Sequence, residues 1–372
     1  MADDKLTRNT YLSKNAGNYP QEINILGKTL SKVDDLRYGT NPHQTAAFYK
    51  IAGKNNVIGD MKVLKTGKSG LSQTNLEDIS FSLNIVKFFN CPACACMKHV
   101  NPCGAATGSP QDSLKDIYLK ARDCDPRAAF GSVIAFNTCV DADTAAAIME
   151  SFVECVVAPA YSPEALAIFC NPDNKLNKHV RILECGDLSQ LPKFIGDDIV
   201  GYQTFKVLAD GSLVIADPLM THVRSIADLK PASAENRTTG IVTSTVTASP
   251  AQLQDLLCAW YINISVRSNG VVIVKNGGTL AVGTGEQDRV GAVEQAIEKF
   301  KQKYAGKEVI HDAVMASDGF FPFPDGVEVA AKAGITAIIA PSGSLKDADV
   351  ILRANELGVA LYHAPERVFS HH

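Results

Sequence analysis

The chain has 372 residues, 46% of them hydrophobic, and its 36 Lys and Arg against 40 Asp and Glu give a net charge of −4. That is ample for one large or two ordinary domains, and the lack of a basic run argues against a nucleic-acid partner. No apolar stretch reaches membrane-spanning length and the start, MADDKLTRNT, is not a secretory signal, so the expected setting is the cytoplasm, with no membrane partner.

The first forty or so residues are polar and broken by Gly, Asn and Pro, and read as an extended lead-in. From Gly67 to Phe89 the spacing of Leu76, Ile79, Leu83 and Val86 predicts a helix, with Thr74 and Glu77 at capping-box spacing. CPACACM follows as a buried strand that ends at Lys98-His99, and a helix is expected from Gln111 to Ala121. GSVIAFN and CVVAPAY read as strands, with DADTAAAIMESF and SPEALAIF as helices. Residues 170–240 are less regular, but apolar residues persist, so they read as a connecting subdomain.

The second half repeats the alternation. SPAQLQDLLCAWYINIS is a helix, GVVIVKNG and TLAVGTG are paired strands, and DRVGAVEQAIEKFKQKY is an amphipathic helix. AVMASDG, GITAIIAPSG and GVALYHA are further strands, separated by helices in VEVAAKAG and LKDADVILRANELG. Alternating strands and helices predict an α/β layer fold with two lobes, residues 1–200 and 201–372, divided somewhere in 170–240.

Ten cysteines include the C-x-x-C-x-C of Cys91, Cys94 and Cys96. No second ligand pair follows, as structural zinc needs, so these are expected to be reduced core residues. Ligands of α/β sheets bind beyond the carboxyl ends of strands, and several strand ends here are polar. Lys98-His99 follows one strand. Arg267-Ser-Asn269 precedes another, and Ser317-Asp-Gly-Phe320 follows a third. PSGS at 341–344 follows a strand and opens a helix, so its backbone N–H groups are expected to be open to an anion. Each has a plainer reading: a Lys-His pair is ordinarily solvated surface, and Phe321 and Phe323 read as core wedges. GTGEQDRV is not a dinucleotide fingerprint, because position 288 is Asp. HVNPCGAA lacks the Glu and second Cys of a zinc deaminase.

Taken together and in order, LRYGTNPHQTAAFY, MKHVNPCGAA, DPRAAFGSVIAFN, SNGVVIVKNG, GTGEQDRV, SDGFFPFPDGV, APSGS and RVFSHH resemble the transformylase part of a bifunctional purine-biosynthesis enzyme family. That family joins AICAR transformylase to inosine monophosphate cyclohydrolase. The likeness runs from about Asp35 to the C-terminus. The cyclohydrolase domain that precedes LRYG in that family is not in this sequence, so the likeness is to a stand-alone transformylase. It implies two cytidine-deaminase-like three-layer lobes without zinc, a homodimer with shared sites, and formyl transfer from 10-formyltetrahydrofolate to the 5-amine of AICAR. By the same resemblance His99 is the base, Lys98 the cation beside it and Asn269 the amide that orients the formyl group. Arg37, Tyr38, Asn75, Phe320 and Arg367 match AICAR contacts. Phe130, Gly131, Glu154, Arg289, Val290 and Asp325 match folate contacts, and potassium is implied near Asp318. Two positions depart from the pattern: Pro324 replaces an Arg, and Asp288 adds a negative charge where an anion is expected. A deaminase-like hydrolase and a non-catalytic AICAR-binding regulator are the alternatives on such a scaffold.

Overall fold

A computed structural model of the chain describes residues 14, 16–67, 69–109, 111–236, 238 and 240–371. Residues 1–13 of the expected lead-in lie outside them. The rest of that lead-in is not a simple extended arm. β1 (Glu22–Ile25), β2 (Lys28–Asp35) and β3 (Ala47–Ile51) form an antiparallel three-stranded meander. Its residues are intermediate or exposed, so it lacks the apolar run that marks a buried strand.

The first large unit begins with β4 (Lys62–Lys65) and α1 (Gln73–Val86), then the hairpin β5 (Ala93–Lys98) and β6 (Asn101–Thr107). There follow α2 (Leu114–Asp123), α3 (Pro126–Ala129), β7 (Val133–Phe136), α4 (Ala142–Ile148), β8 (Cys155–Ala158), α5 (Pro163–Cys170) and β9 (Arg181–Glu184). The connecting stretch holds two ribbons, β10 (Thr204–Val207) with β11 (Leu213–Ala216), and β13 (Ser233–Asn236) with β14 (Gly240–Thr243). Between them lies the short edge strand β12 (Lys230–Pro231). The second unit runs α6 (Pro250–Asn263), β15 (Val271–Lys275), β16 (Gly278–Gly283), α7 (Arg289–Lys303), β17 (Ala313–Ser317), α8 (Asp325–Ala333), β18 (Ile335–Pro341), α9 (Asp347–Glu356) and β19 (Ala360–Ala364).

The two units are the same motif twice. In each, a 14-residue helix leads into an antiparallel hairpin, β5–β6 or β15–β16. The first hairpin strand pairs antiparallel with the next strand, β7 or β17, and two parallel pairings follow, β7–β8–β9 or β17–β18–β19. β6 and β16 pair antiparallel, Gly278 opposite Ala106, so one mixed twelve-stranded sheet crosses both units in the order β12-β19-β18-β17-β15-β16-β6-β5-β7-β8-β9-β4.

Both faces of this sheet are covered, which is why its strands read as continuous apolar runs. One face packs against α1 and α6 in a single core that includes Ile79, Leu83, Met97, Trp260, Val272 and Ile339. The other face carries two separate cores, one with Cys94, Cys96, Ile134 and Phe169, the other with Ile273, Met315, Ile338 and Ile351. Cys94 and Cys96 are therefore apolar filling.

Helix starts follow capping chemistry. α1 begins one residue after Ser72, whose hydroxyl accepts the Asn75 N–H at 3.2 Å while Asn75 Oδ1 accepts the Ser72 N–H at 3.1 Å. The expected box of Thr74 and Glu77 is thereby corrected: Thr74 already lies inside the first turn. The Asp at 288 also finds a role, since its side chain accepts the Gly291 N–H at 2.7 Å and caps α7.

Gly104 lets α2 lie close on β6: a Cβ there would collide with the carbonyl oxygen of Ala121. Gly104→Ala should cost about 1–3 kcal/mol of stability through this overpacking, read as a lower urea midpoint at unchanged m-value.

Candidate functional site

Strand directions gather the candidate residues at one edge of the sheet. β5 runs toward this edge and delivers Lys98 and His99. β6 and β7 run away from it, so Phe130 and Gly131, just before β7, lie at the same edge, as does Glu154 before the parallel β8. The antiparallel seam reverses the second unit. β15 starts there, after Asn269, while β17, β18 and β19 end there, before Asp318, PSGS and Arg367. Each unit thus brings both kinds of terminus to this edge: β5 ends and β6, β7 and β8 start there, while β15 starts and β17, β18 and β19 end there, and only the strand ends fit the rule that the sequence suggested.

The Lys98–His99 pair sits on a turn of left-handed backbone, with φ of 55° at His99 and 54° at Val100. Lys98 is half-buried, and its Nζ donates to the Phe130 carbonyl at 2.5 Å. His99 is exposed at the mouth of a cavity of about 190 Å³ that Asn101, Cys103, Thr284 and Lys299 also line. Gly131, at φ 75°, lies close to Lys98 and to the Phe152 ring.

Beside this pair lies a buried cationic group. Arg37 is buried against the face of Tyr38, 4.6 Å from its ring centroid. Its Nη1 reaches Ser69 at 3.3 Å and its Nη2 reaches Asn75 Oδ1 at 3.5 Å. Asn75 Nδ2 in turn donates to Glu154 at 2.7 Å. Burial, and then the charge of Arg181, pull the Arg37 guanidinium below its usual range. Its Nε is buried with no partner among the described residues. Two guanidiniums near a single carboxylate, with a donor unused, favour an anionic guest.

The second unit supplies a tighter network. Arg289, at the start of α7, pairs through Nη1 with Asp318 and donates through Nη2 to Asn269 Oδ1 at 2.5 Å. Asn269 Nδ2 donates to the Glu286 carbonyl at 3.0 Å, so its amide orientation is set from both ends. The other oxygen of Asp318 accepts the Gly270 N–H at 2.9 Å. Asp318, expected near a monovalent cation, thus already has a guanidinium and an N–H as partners. Arg367 is exposed and stacks on Phe369 at 4.3 Å, and Arg289 faces the same ring at 5.7 Å. Phe320 is half-buried, Val290 half-buried and Asp325 exposed.

Two readings of the sequence need correction. The N–H groups of PSGS are not open to an anion, because the Asp347 carboxylate accepts those of Gly343 at 2.7 Å and Ser344 at 3.2 Å. Of the two phenylalanines read as core wedges, Phe321 is buried but Phe323 is exposed. Among the described residues, no group of three or more His, Cys, Asp and Glu could hold a metal ion. Nor is any helix among them long and apolar enough to cross a membrane.

Sequence reasoning missed Asn101 and Asp78. Asn101 Oδ1 accepts the Arg267 N–H at 3.0 Å and the Thr284 hydroxyl at 2.6 Å, tying the Lys98–His99 hairpin to the loop that carries Asn269. It lies within MKHVNPCGAA, but its partners are 166 and 183 residues away, so the motif alone does not reveal them. Asp78 offers a faint signal, a carboxylate next to the apolar Ile79 on the buried side of α1.

A buried ion pair in a network, two Arg-bearing groups and a Lys-His hairpin thus lie along one sheet edge. The chain belongs to the AICARFT/IMPCHase bienzyme family, whose model matches residues 3–299. It is 36% identical over 372 residues to the bifunctional purine biosynthesis protein PurH of Oceanobacillus iheyensis, covering 99% of this chain and 64% of that protein. It is 38% identical over 346 residues to PurH of Nostoc punctiforme, covering 92% of this chain and 59% of that one. With PurH of Gloeothece citriformis it shares 38% over 354 residues, covering 95% and 60%. The chain therefore spans about three-fifths of the length of these relatives.

Arg289→Ala should cost about 3–5 kcal/mol, because it leaves the buried Asp318 carboxylate without its cation. Urea unfolding of the variant checks this, and a loss under about 1 kcal/mol would mean the pair is dispensable.

Proposed function

We propose that the chain is an AICAR transformylase that moves the formyl group of 10-formyltetrahydrofolate to the 5-amine of AICAR in purine biosynthesis. The observation that carries this reading is the convergence just described: Lys98, next to His99, stands against Phe130 and Gly131, and Asn101 ties their hairpin to the loop bearing an oriented Asn269.

The chemistry asks for these groups. The AICAR amine is a weak nucleophile, its lone pair drawn into the imidazole and the carboxamide. As its nitrogen bonds to the formyl carbon it must lose a proton, and His99 is the base placed for that. The tetrahedral intermediate carries an oxyanion that Asn269 Nδ2 or Lys98 can meet with a donor. When the bond from carbon to the folate nitrogen breaks, that nitrogen takes up a proton, and Lys98 can deliver it. Arg37 and Arg367 hold the nucleotide phosphate, Tyr38 and Asn75 the rest of the nucleotide, and Phe320 its heterocycle. Phe130, Gly131, Glu154, Val290 and Asp325 line the folate site. Arg289 acts there through Asn269, which it holds. Each half of the chain is a cytidine-deaminase-like unit without zinc. The enzyme works in the cytoplasm as a homodimer that completes its sites from both copies, with potassium near Asp318 as an accessory ion.

An assay with AICAR and 10-formyltetrahydrofolate, following tetrahydrofolate release, tests the reading. His99→Ala should lower the rate by about 100- to 10,000-fold while AICAR still binds, as the loss of a general base does. A variant within about threefold of the parent would remove His99 from that role. Arg37→Ala and Arg367→Ala should each weaken AICAR binding by about 1.5–3 kcal/mol while affinity for the dephosphorylated riboside hardly changes. Equal losses for nucleotide and riboside would show that neither arginine reads the phosphate.

A further inference from the structure

The duplicated motif allows one hairpin to be read against the other. In the second unit, the two residues between β15 and β16 are Asn276 and Gly277, with φ of 51° and 73°. This is the pair that a two-residue turn with positive φ at both positions favours. In the first unit the same places, between Lys98 and Asn101, hold His99 and Val100 at φ 55° and 54°. A left-handed residue costs roughly 1–2 kcal/mol when it carries a Cβ, and a β-branched side chain fits worst. The first hairpin therefore adopts a backbone that its own sequence disfavours. Such a conformation persists only where the surroundings over-determine it.

The surroundings are one carboxylate on the helix before each hairpin. Asp255, the sixth residue of α6, accepts the Asn276 N–H at 2.9 Å and the Gly277 N–H at 2.7 Å. Asp78, the sixth residue of α1, accepts the Val100 N–H at 2.7 Å. In the second unit the anchor holds a turn that would form without help. In the first it holds one that resists.

We propose that Asp78 is a positioning residue, its buried carboxylate pinning His99 and Val100 in left-handed backbone so that the imidazole stands at the cavity mouth beside Lys98. The charged and titratable groups around it include His99, Glu154 and Cys155. Burial raises its carboxyl to about 6, with the Val100 N–H and the His99 charge pulling the other way. The inference rests on the reading of His99 as the base, but its geometry is independent of which reaction follows.

The test is a rescue. Asp78→Ala should lower kcat for formyl transfer by about 100-fold, the scale of a catalytic group moved by an ångström, with KM for AICAR within about threefold of the parent. Val100→Gly relaxes the turn, so Asp78→Ala with Val100→Gly should return to within about threefold of Val100→Gly alone. Asp255→Ala, whose turn needs no anchor, should lower thermal stability and leave kcat in place. The proposal falls if Asp78→Ala keeps kcat within about threefold of the parent, or if Val100→Gly does not repair its loss. Should Asp78→Ala fail to fold, Asp78→Leu stands in. It fills the buried space but offers the Val100 N–H no acceptor, so a parental kcat there also overturns the claim. Hydrogen exchange at the Val100 amide reads the anchor without any reaction. Faster exchange in Asp78→Ala supports the anchor even if the parent transfers no formyl group, in which case the reaction reading alone falls; unchanged exchange overturns the anchor.

Discussion

The architecture depends on a short seam where the two units meet. Gly278 pairs with Ala106, the Thr107 N–H donates to the Gly277 carbonyl at 2.8 Å, and the Thr279 hydroxyl bonds both the N–H and the carbonyl of Ala105, at 2.9 and 3.1 Å. Thr279 is buried, so these bonds form away from competing water. Because the pairing is antiparallel, it turns the second unit end for end relative to the first. That reversal alone brings Asn269 and the ends of β17 and β19 to the edge where β5 ends.

Around that edge the two units contribute different things. The first supplies a hairpin whose side chains point to an open cavity and a buried arginine with a donor to spare. The second supplies rigidity: Arg289 links α7, Asp318 and Asn269, and the 368–370 stretch is tied back by the Val368 N–H to the Asp318 carbonyl and the Ser268 N–H to the Ser370 carbonyl. An anchored hairpin on one side and a fixed amide on the other are what preorganisation requires.

Much of this was legible in the sequence. Alternating apolar strands and amphipathic helices pointed to an α/β fold, since strands covered on both faces, such as VVIV in β15, read as unbroken apolar runs. The polar residues at 98–99, 269 and 318–320 stood out because they interrupt that pattern at strand ends. What could not be read was anything that depends on which strands are neighbours. The meander β1–β3 is half-exposed, so its residues carry no strong period. RILE in β9 was lost in an irregular stretch because charged residues at both its ends leave only Ile182 and Leu183 as an apolar signal. Asn101, Asp78 and the Asp347 carboxylate over PSGS are ordinary polar residues until the chain is folded. Their partners lie on other elements or, for Asp347, depend on where the helix begins.

The end-for-end relation of the units also has an electrical consequence. In the second unit, α7, α8 and α9 follow strands that finish at the functional edge, so their N-termini lie toward it. In the first, α4 and α5 follow strands that finish at the far edge, so they return with their C-termini toward it. Helix macrodipoles place partial positive charge at N-termini and partial negative charge at C-termini. On the face that α4, α5 and α7–α9 cover, the backbone therefore polarises this edge, positive on the side of the second unit and negative on the side of the first, while α1 and α6 on the other face run the opposite way, α1 starting beside Glu154. On either face, a ligand that carries its charge at one end has a preferred way round before any side chain touches it, and dissolved salt weakens that preference.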